Sequence, residues 1–241
     1  MRKAALVSLF AGLVCLSGWG QEPGGVGGVQ SLGFSSGYSP DSSHILIGLA
    51  QQRRTWTAGI EYTHLLHAGR QFRFDYEGSV VPFYFESDPT VTGTVTTING
   101  KTLITPEAPV RVIFVDRGPV GTIVEGHGAT VPIYATYGRQ NTYAAALVPL
   151  GARASVFPRS HIQPSFSLDL GFVVSSRDLP VDESDQFNYL FAFGPGVQVY
   201  SNARSSLRLE YLYRHISNAH MGNQNPGVDQ GVFRLTLSRH R

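Results

Sequence analysis

A period-two alternation of apolar and polar residues runs through most of this chain and restricts its fold more than any other feature. Successive side chains of a β-strand point to opposite faces, so the alternation predicts strands with one apolar face and one polar face. The pattern is clearest in residues 70–77, 162–172 and 205–216. No convincing helical periodicity competes with it after residue 20. The sequence therefore predicts an all-β fold.

Eight principal strands account for the alternation. Their predicted bounds are 44–50, 55–65, 70–85, 142–157, 162–174, 187–200, 205–216 and 229–238. Bacterial outer-membrane barrels have an even number of antiparallel strands, joined by short periplasmic turns and longer outer loops. The links between the predicted strands follow this rule, except that the first outer loop would be the short link 51–55. They are short at 67–70, 158–161 and 201–205, and long near 86–141, 175–186 and 217–228.

Alternation alone fits two kinds of barrel. A water-soluble barrel buries its apolar face, whereas a membrane barrel turns that face outward and its polar face inward. Charged residues make up 15% of the chain, below the roughly 25% of soluble domains, which favours an eight-stranded antiparallel transmembrane β-barrel over a soluble periplasmic barrel with a lipid inside. Buried charges need partners, so an ion-pair network is expected in the lumen. Its predicted members are Glu61, Asp75, Glu77, Arg208, Glu210 and Arg214.

The first 20 residues have the pattern of a secretory signal peptide. A basic start, Arg2 and Lys3, precedes an apolar run at 4–16 that is followed by small residues. We therefore expect residues 1–20 to be a signal peptide and residues 21–241 to form the exported barrel. Cleavage would remove Cys15, the only cysteine, and would leave 17 Lys+Arg against 17 Asp+Glu. This balance gives no support for a nucleic-acid partner.

The link at 86–141 is much longer than the others and contains a turn signal of its own. The sequence TVTGTVTTINGKTLI has the form of a β-hairpin that turns at Asn99 and Gly100. We interpret this segment as an outer-loop insertion between the third and fourth strands, or as extra strands. A second small domain is the weaker alternative.

The stretch YRHISNAHMGNQNPGVDQG, residues 213–231, interrupts the alternation with residues that can carry chemistry. His215 and Ser217 share the parity of the apolar residues before them, and Asp229 shares the parity of Phe233 in the next strand. All three are therefore expected on the apolar, lipid-facing wall, at strand ends that flank an outer loop. Polar groups on such a wall cost free energy unless they are satisfied or functional.

These residue types supply the parts of an acyl-transfer site. A serine hydroxyl becomes a nucleophile when a neighbouring base removes its proton, histidine is such a base, and a carboxylate orients the histidine. The intervening loop offers donors for an oxyanion, among them Asn218, Asn223 and Asn225. The pattern predicts ester hydrolysis. The alternative is a structural role, in which the same residues cap strand ends, line the membrane interface and end a turn.

The segments HISNA and NPGVD, within residues 209–238, resemble the signature of the outer-membrane lipid A 3-O-deacylases, the PagL-type acyloxyacyl hydrolases. Members of that family are eight-stranded barrels with an active site on the outer wall. The resemblance implies three catalytic roles, with His215 as base, Ser217 as nucleophile and Asp229 as orienting acid. It also implies that Asn225 contributes to the oxyanion hole. Asp229 stands where glutamate is common in the family, and His220 stands where glycine is common.

The resemblance implies lipid A, as part of lipopolysaccharide, as the substrate and the outer membrane as the location. The sequence contains no His-Glu-x-x-His spacing and no phosphate-binding glycine loop before a helix, so we predict neither a metal nor a cofactor. Arg53, Arg54 and Arg177 are predicted in outer loops, as solvated charges or as contacts to lipid A phosphates. The sequence allows a homodimer. A non-catalytic outer-membrane barrel is the second hypothesis for the function.

Overall fold

A computed structural model describes residues 28–98, 100–124, 128–202 and 204–241. The predicted signal peptide, with Cys15, lies outside these residues. No helix in the described part of the chain is long and apolar enough to cross a membrane. The strands are β1 (Gln30–Ser39), β2 (Arg54–Ala68), β3 (Phe72–Ile98), β4 (Lys101–Arg111), β5 (Pro119–Val124), β6 (Thr130–Val156), β7 (Ile162–Leu179), β8 (Asp185–Asn202), β9 (Ser205–Ser217) and β10 (Val228–His240).

Eight of these strands close into an antiparallel barrel. Strands β1, β2 and β3 follow one another, and β6 to β10 continue the ring. The ring closes because β1 pairs with β10 and β3 pairs with β6. This confirms the predicted eight-stranded antiparallel barrel. By the rule of short periplasmic turns, the end that carries residues 40–53 and 218–227 is the outer end.

The first predicted strand, 44–50, is wrong. The first strand is β1, whose register against β10 runs from Ser31↔His240 to Tyr38↔Phe233. Its apolar positions alternate with serines and glycines, which weaken the strand signal, whereas 44–50 is a compact apolar run. Residues 40–53 instead form a long outer loop, here called outer loop 1. The short link at 51–55 is therefore only the end of a loop. The link near 175–186, predicted to be long, is reduced to residues 180–184 because β7 and β8 continue past their predicted ends.

The barrel is apolar outside and polar inside. Phe34 and Leu209, on the outer face, are 57% and 53% exposed, whereas Asp75, on the inner face, has no exposed surface. A soluble barrel requires the opposite arrangement. The outer face therefore has the character of a membrane barrel, and polar and charged side chains line the interior.

An ion-pair network occupies the lumen, as predicted. Arg208 lies at its centre and contacts Glu61 at 2.5 Å, Glu77 at 2.6 Å and Glu210 at 3.0 Å. Arg214 differs from the prediction, because it donates to the side-chain oxygen of Gln230 and its guanidinium lies 5.2 Å from the ring centre of Tyr84. Further members of the network are Asp75, Arg153, Asp169 and Arg234.

Replacing Arg208 with methionine should lower the free energy of unfolding by about 3–5 kcal/mol, because it leaves buried carboxylates without their shared cation. Unfolding by urea in lipid vesicles, followed by tryptophan fluorescence and by the gel shift of the heat-modified barrel, measures this loss. The matched control is Arg54→Met, since the Arg54 side chain is exposed. Equal stability of the Arg208→Met variant and the wild type would show that the network is dispensable.

The segment 86–141 forms additional strands, which is the second of the two predicted interpretations. Beyond the barrel, β3 and β6 continue as a pair up to Thr96↔Ile133. Strand β4 pairs with β3, on the other side of the predicted hairpin turn, and β5 pairs with β6. The insertion is therefore a four-stranded sheet, in the order β4-β3-β6-β5, that grows out of two barrel strands.

Of the three arginines predicted in outer loops, only Arg53 lies in one, and it is fully buried. Arg54 begins β2 and Arg177 lies near the end of β7, and both are exposed. The prediction of a solvated or phosphate-binding Arg53 is wrong because its guanidinium is used inside the protein. It donates to the carbonyl groups of Val112 at 2.9 Å and Ile113 at 3.0 Å. Its Nε also lies 3.4 Å from the Asp88 carboxylate. Arg53 thus joins outer loop 1 to the linker between β4 and β5.

Candidate active site

His215 and Asp229 form a hydrogen-bonded pair across two neighbouring strands. The register of β9 against β10 places these two residues directly opposite each other. His215 Nδ1 lies 2.7 Å from Asp229 Oδ1. Both side chains have the parity of the exposed apolar residues of their strands, Leu209 and Phe233. The pair therefore lies on the outer face of the barrel, near its outer end.

The Asp229 carboxylate accepts hydrogen bonds from four donors. Oδ1 accepts from the hydroxyl group of Tyr213 at 2.8 Å as well as from His215. Oδ2 accepts from the backbone N–H groups of Leu46 at 2.7 Å and Ile47 at 2.9 Å. Hydrogen bonds to a carboxylate stabilise its ionised form. The arrangement thus keeps a charged acceptor beside His215 on an otherwise apolar wall.

Outer loop 1 covers Asp229 because it is joined to the loop that precedes β10. The N–H of Leu49 donates to the carbonyl of Pro226 at 2.7 Å, and the N–H of Ala50 donates to that of Gly227 at 3.0 Å. As a result Asp229 has no exposed surface, although it lies on the outer face. The sequence does not predict this cover, because the compact apolar run at 44–50 indicates a strand. It does not predict the hydrogen bond of Tyr213 either, because the parity of Tyr213 indicates only a lipid-facing ring.

The His215 ring is held so that one nitrogen remains available for chemistry. When Nδ1 donates its proton to Asp229, the lone pair resides on Nε2. The side chain of His215 is 13% exposed. Gly227 lies against the ring, where a Cβ would come within 2.8 Å of Cε1, and its φ of +60° favours glycine. The tight packing fixes the ring orientation.

Ser217 lies on the same strand and the same face as His215, two residues or about 7 Å further along. It pairs with Tyr189 of β8, and it is partly exposed. No hydrogen bond joins Ser217 to His215 among the described residues. Contacts between nucleophile and base are often long in the absence of substrate and become shorter in the complex. The structure thus joins His215 to Asp229 directly and places Ser217 beside them.

Asn225, the predicted oxyanion-hole residue, lies in the loop 218–227, here called outer loop 4. Its side-chain oxygen accepts the backbone N–H of Asn218 at 3.2 Å. This bond leaves the Asn225 amide nitrogen as the donor available for an oxyanion. The N–H of Asn218, which follows Ser217 directly, is engaged in the same bond. Asn223 is exposed at the surface of the loop.

Asn218 organises outer loop 4 instead of facing the site. It is buried, its amide nitrogen donates to the carbonyl of Gln224 at 2.8 Å, and its side-chain oxygen accepts the N–H of His220 at 3.0 Å. Ala219 and His220 both have a positive φ, of 51° and 63°. Glycine adopts this conformation without strain. The backbone therefore retains a glycine-like turn where the chain carries His220.

No group of three or more His, Cys, Asp or Glu residues is placed to hold a metal ion in the described part of the chain.

Comparisons with known proteins agree with the predicted fold and family. The sequence model of the lipid A 3-O-deacylase (PagL) family matches residues 118–238, just over half of the chain. The crystal structure of the outer membrane enzyme PagL superposes with a TM-score of 0.50 and 10% identity, covering 85% of this chain and 97% of that one. At this identity the superposition supports the fold alone.

Two further barrels are similar in shape. Neisserial surface protein A has a TM-score of 0.45 and 13% identity, with coverage of 88% of this chain and 97% of that one. The outer membrane protein OprG from Pseudomonas aeruginosa has a TM-score of 0.43 and 12% identity, with coverage of 89% and 97%. No curated protein matches this chain by sequence. The family match spans β5 to β10, which include His215, Ser217 and Asp229, and the chain belongs to the lipid A 3-O-deacylase (PagL) family.

Proposed function

We propose that this protein is an outer-membrane esterase that hydrolyses an ester-linked acyl chain of lipid A. The observation that carries the proposal is the hydrogen-bonded pair of His215 and Asp229 on the apolar outer face, with Ser217 beside it. Ionisable groups on a lipid-facing wall are costly to keep there, so a hydrogen-bonded pair at that position supports a functional role. Membership of a family of lipid A deacylases supplies the substrate class.

The proposed reaction proceeds through an acyl-enzyme. Ser217 Oγ attacks the ester carbonyl carbon while His215 Nε2 takes its proton, and Asp229 stabilises the resulting imidazolium. The amide nitrogen of Asn225 donates to the oxyanion of the tetrahedral intermediate. The intermediate expels the sugar alkoxide, which receives the proton from His215. A water molecule, deprotonated by His215, then attacks the acyl-enzyme and releases the fatty acid and Ser217.

The position of the site on the barrel suits a substrate that never leaves the membrane. Lipid A presents its ester groups where acyl chains join the sugar, at the outer boundary of the apolar layer. The site lies at the outer end of β9 and β10, and the neighbouring side chains of Tyr189 and Phe191 are exposed. Acyl chains can therefore lie along the wall while the ester reaches Ser217. The predicted signal peptide, residues 1–20, would deliver the chain to this membrane.

Mass analysis of lipid A tests the proposal directly. Lipopolysaccharide incubated with the folded, purified protein should lose the mass of one ester-linked acyl chain and release the matching fatty acid. The amide-linked chains of the same molecule serve as an internal control, because they should remain.

A non-catalytic outer-membrane barrel is the competing function. The lack of a hydrogen bond between Ser217 and His215 is the observation that favours it. Under that hypothesis, a heat-modifiable and therefore folded barrel would remove no acyl chain from lipid A or from simple esters. That result would refute the esterase proposal.

A further inference from the structure

We propose that outer loop 1 is a positioning element of the site, which holds Asp229 through backbone amides and is itself held by the insertion. The inference rests on the proposed function, because it assigns Asp229 the role of orienting His215. It concerns residues that the family motif does not contain, since outer loop 1 lies more than 160 residues before that motif. It also gives the sheet between the third and fourth barrel strands a role in the reaction.

First, the two oxygens of the Asp229 carboxylate accept hydrogen bonds from different parts of the protein. Oδ1 faces strand β9 and accepts from His215 and Tyr213. Oδ2 faces outer loop 1 and accepts only N–H groups of that loop among the described residues, those of Leu46 and Ile47. Without the loop, Oδ2 would face the apolar layer with no donor, which is unfavourable for an ionised group. The loop therefore fixes both the charge and the rotamer of Asp229.

The second step is that the loop has almost no freedom at this contact. A Cβ at Gly48 would lie 2.5 Å from the Asp229 nitrogen and 2.7 Å from Oδ1. A ring nitrogen of His44, Nδ1, is 2.8 Å from the carbonyl oxygen of Gly48, which closes the loop on itself. Only a residue without a side chain can bring the amides of positions 46 and 47 this close to the carboxylate.

Third, the residues of outer loop 1 that donate to Asp229 have exposed side chains. The side chains of Leu46 and Ile47 are 59% and 65% exposed, and those of Ile45 and Leu49 are also exposed. They continue the apolar wall of the barrel outward from the site. The loop thus turns its amides toward Asp229 and its aliphatic side chains toward the acyl chains of lipids. It can therefore contact lipid and the carboxylate at the same time.

Fourth, hydrogen bonds to the insertion hold outer loop 1 in place. The N–H of Gln51 donates to the carbonyl of Ile113 at 2.7 Å, and Arg53 donates to the same carbonyl and to that of Val112. In return, the N–H of Val115 donates to the side chain of Gln52 at 2.7 Å. These acceptors and donors belong to the linker between β4 and β5. The insertion is therefore bonded to the segment that holds Asp229.

Amide hydrogen exchange tests the positioning without any assay of activity. In detergent micelles, the amides of Leu46 and Ile47 should exchange slowly in the wild type and about tenfold faster or more in Asp229→Ala, since exchange reports local opening. Ser217→Ala is the matched control and should leave their exchange unchanged. Arg53→Met should accelerate the same two amides, whereas Arg54→Met should not. Equal exchange in the wild type and Asp229→Ala would overturn the proposal, even if the protein hydrolyses lipid A.

The kinetics of a Gly48 variant test whether the position of outer loop 1 affects the rate of the reaction. Gly48→Ala should lower kcat about 10- to 100-fold with little change in KM, because it displaces a positioning group by about 1 Å and leaves the substrate wall intact. Gly121→Ala in β5 is the matched control, since a Cβ there meets only Ile133 at an ordinary 3.7 Å. In an Asp229→Asn background, Gly48→Ala should add nothing. A wild-type kcat for Gly48→Ala would contradict the proposal, whereas lack of activity in the wild type would contradict only the proposed esterase function.

Discussion

Replacing Ser217 with alanine should lower the rate of acyl release from lipopolysaccharide by about 10⁴-fold or more, because removal of a nucleophile leaves only the residual catalysis of binding and the oxyanion site. The barrel should fold as before, since Ser217 is partly exposed on the outer face and its side chain fills no part of the lumen. Initial rates are measured by mass analysis of lipid A in mixed micelles, and folding is measured by the heat-modified gel shift.

A serine elsewhere on the outer face provides the matched control. Ser36 of β1 is also partly exposed and accepts a hydrogen bond from the indole N–H of Trp56 at 3.1 Å. Ser36→Ala should retain the wild-type rate. Wild-type activity in Ser217→Ala would remove Ser217 as the nucleophile and with it the proposed mechanism.

Combining the Ser217 variant with a His215 variant tests whether the two residues act as one catalytic unit or contribute to the rate independently. If His215 acts only by activating Ser217, then Ser217→Ala, His215→Ala and the double variant should lose similar amounts of activity, because residues that act together are strongly non-additive. Multiplied losses in the double variant would mean that the two residues act separately. The double variant also tests whether a direct contact forms during the reaction that the structure without substrate does not contain.

Short-range rules predicted the barrel and the outer-face positions of His215, Ser217 and Asp229. Parity along a strand depends on the backbone alone, so it placed His215 and Ser217 on the outer face with Leu209. Parity on the next strand placed Asp229 on the same face, and the register then made it the partner of His215. These inferences required no knowledge of side-chain packing.

Most features that the sequence did not predict depend on contacts between distant parts of the chain. The bonds from Leu46 and Ile47 to Asp229 join residues more than 180 positions apart. The burial of Arg53 depends on carbonyl groups about 60 positions away. The compact apolar run of outer loop 1 has the local composition of a strand, and only the pairing of β1 with β10 excludes it from the barrel.

In the insertion, too, the sequence predicted the local turn but not the pairing between distant strands. The hairpin between β3 and β4 has a local turn signal, and the pairing Ile98↔Lys101 flanks the predicted turn. The pairing of β3 with β6 joins residues that are far apart in sequence, and it turns the segment into a sheet continuous with the barrel wall. Because that sheet is continuous with two barrel strands, its linker lies at a fixed position over outer loop 1.

Asp229→Asn should lower kcat by about 10²- to 10⁴-fold, because the amide cannot stabilise the imidazolium or hold the productive tautomer. Each carboxylate oxygen now faces two donors, so the amide nitrogen of asparagine must face donors in either orientation. Initial rates with lipopolysaccharide measure the loss, and the heat-modified gel shift confirms folding.

Asp229→Glu separates the need for a charge from the need for a fixed length. In this chain Gly48 and the amides of Leu46 and Ile47 already contact the aspartate side chain closely. The additional methylene would displace outer loop 1, so we expect Asp229→Glu to lose about tenfold or more in kcat, since small displacements of positioning groups are costly. Full activity of Asp229→Glu would mean that the loop adapts freely, which is incompatible with a carboxylate held from both sides.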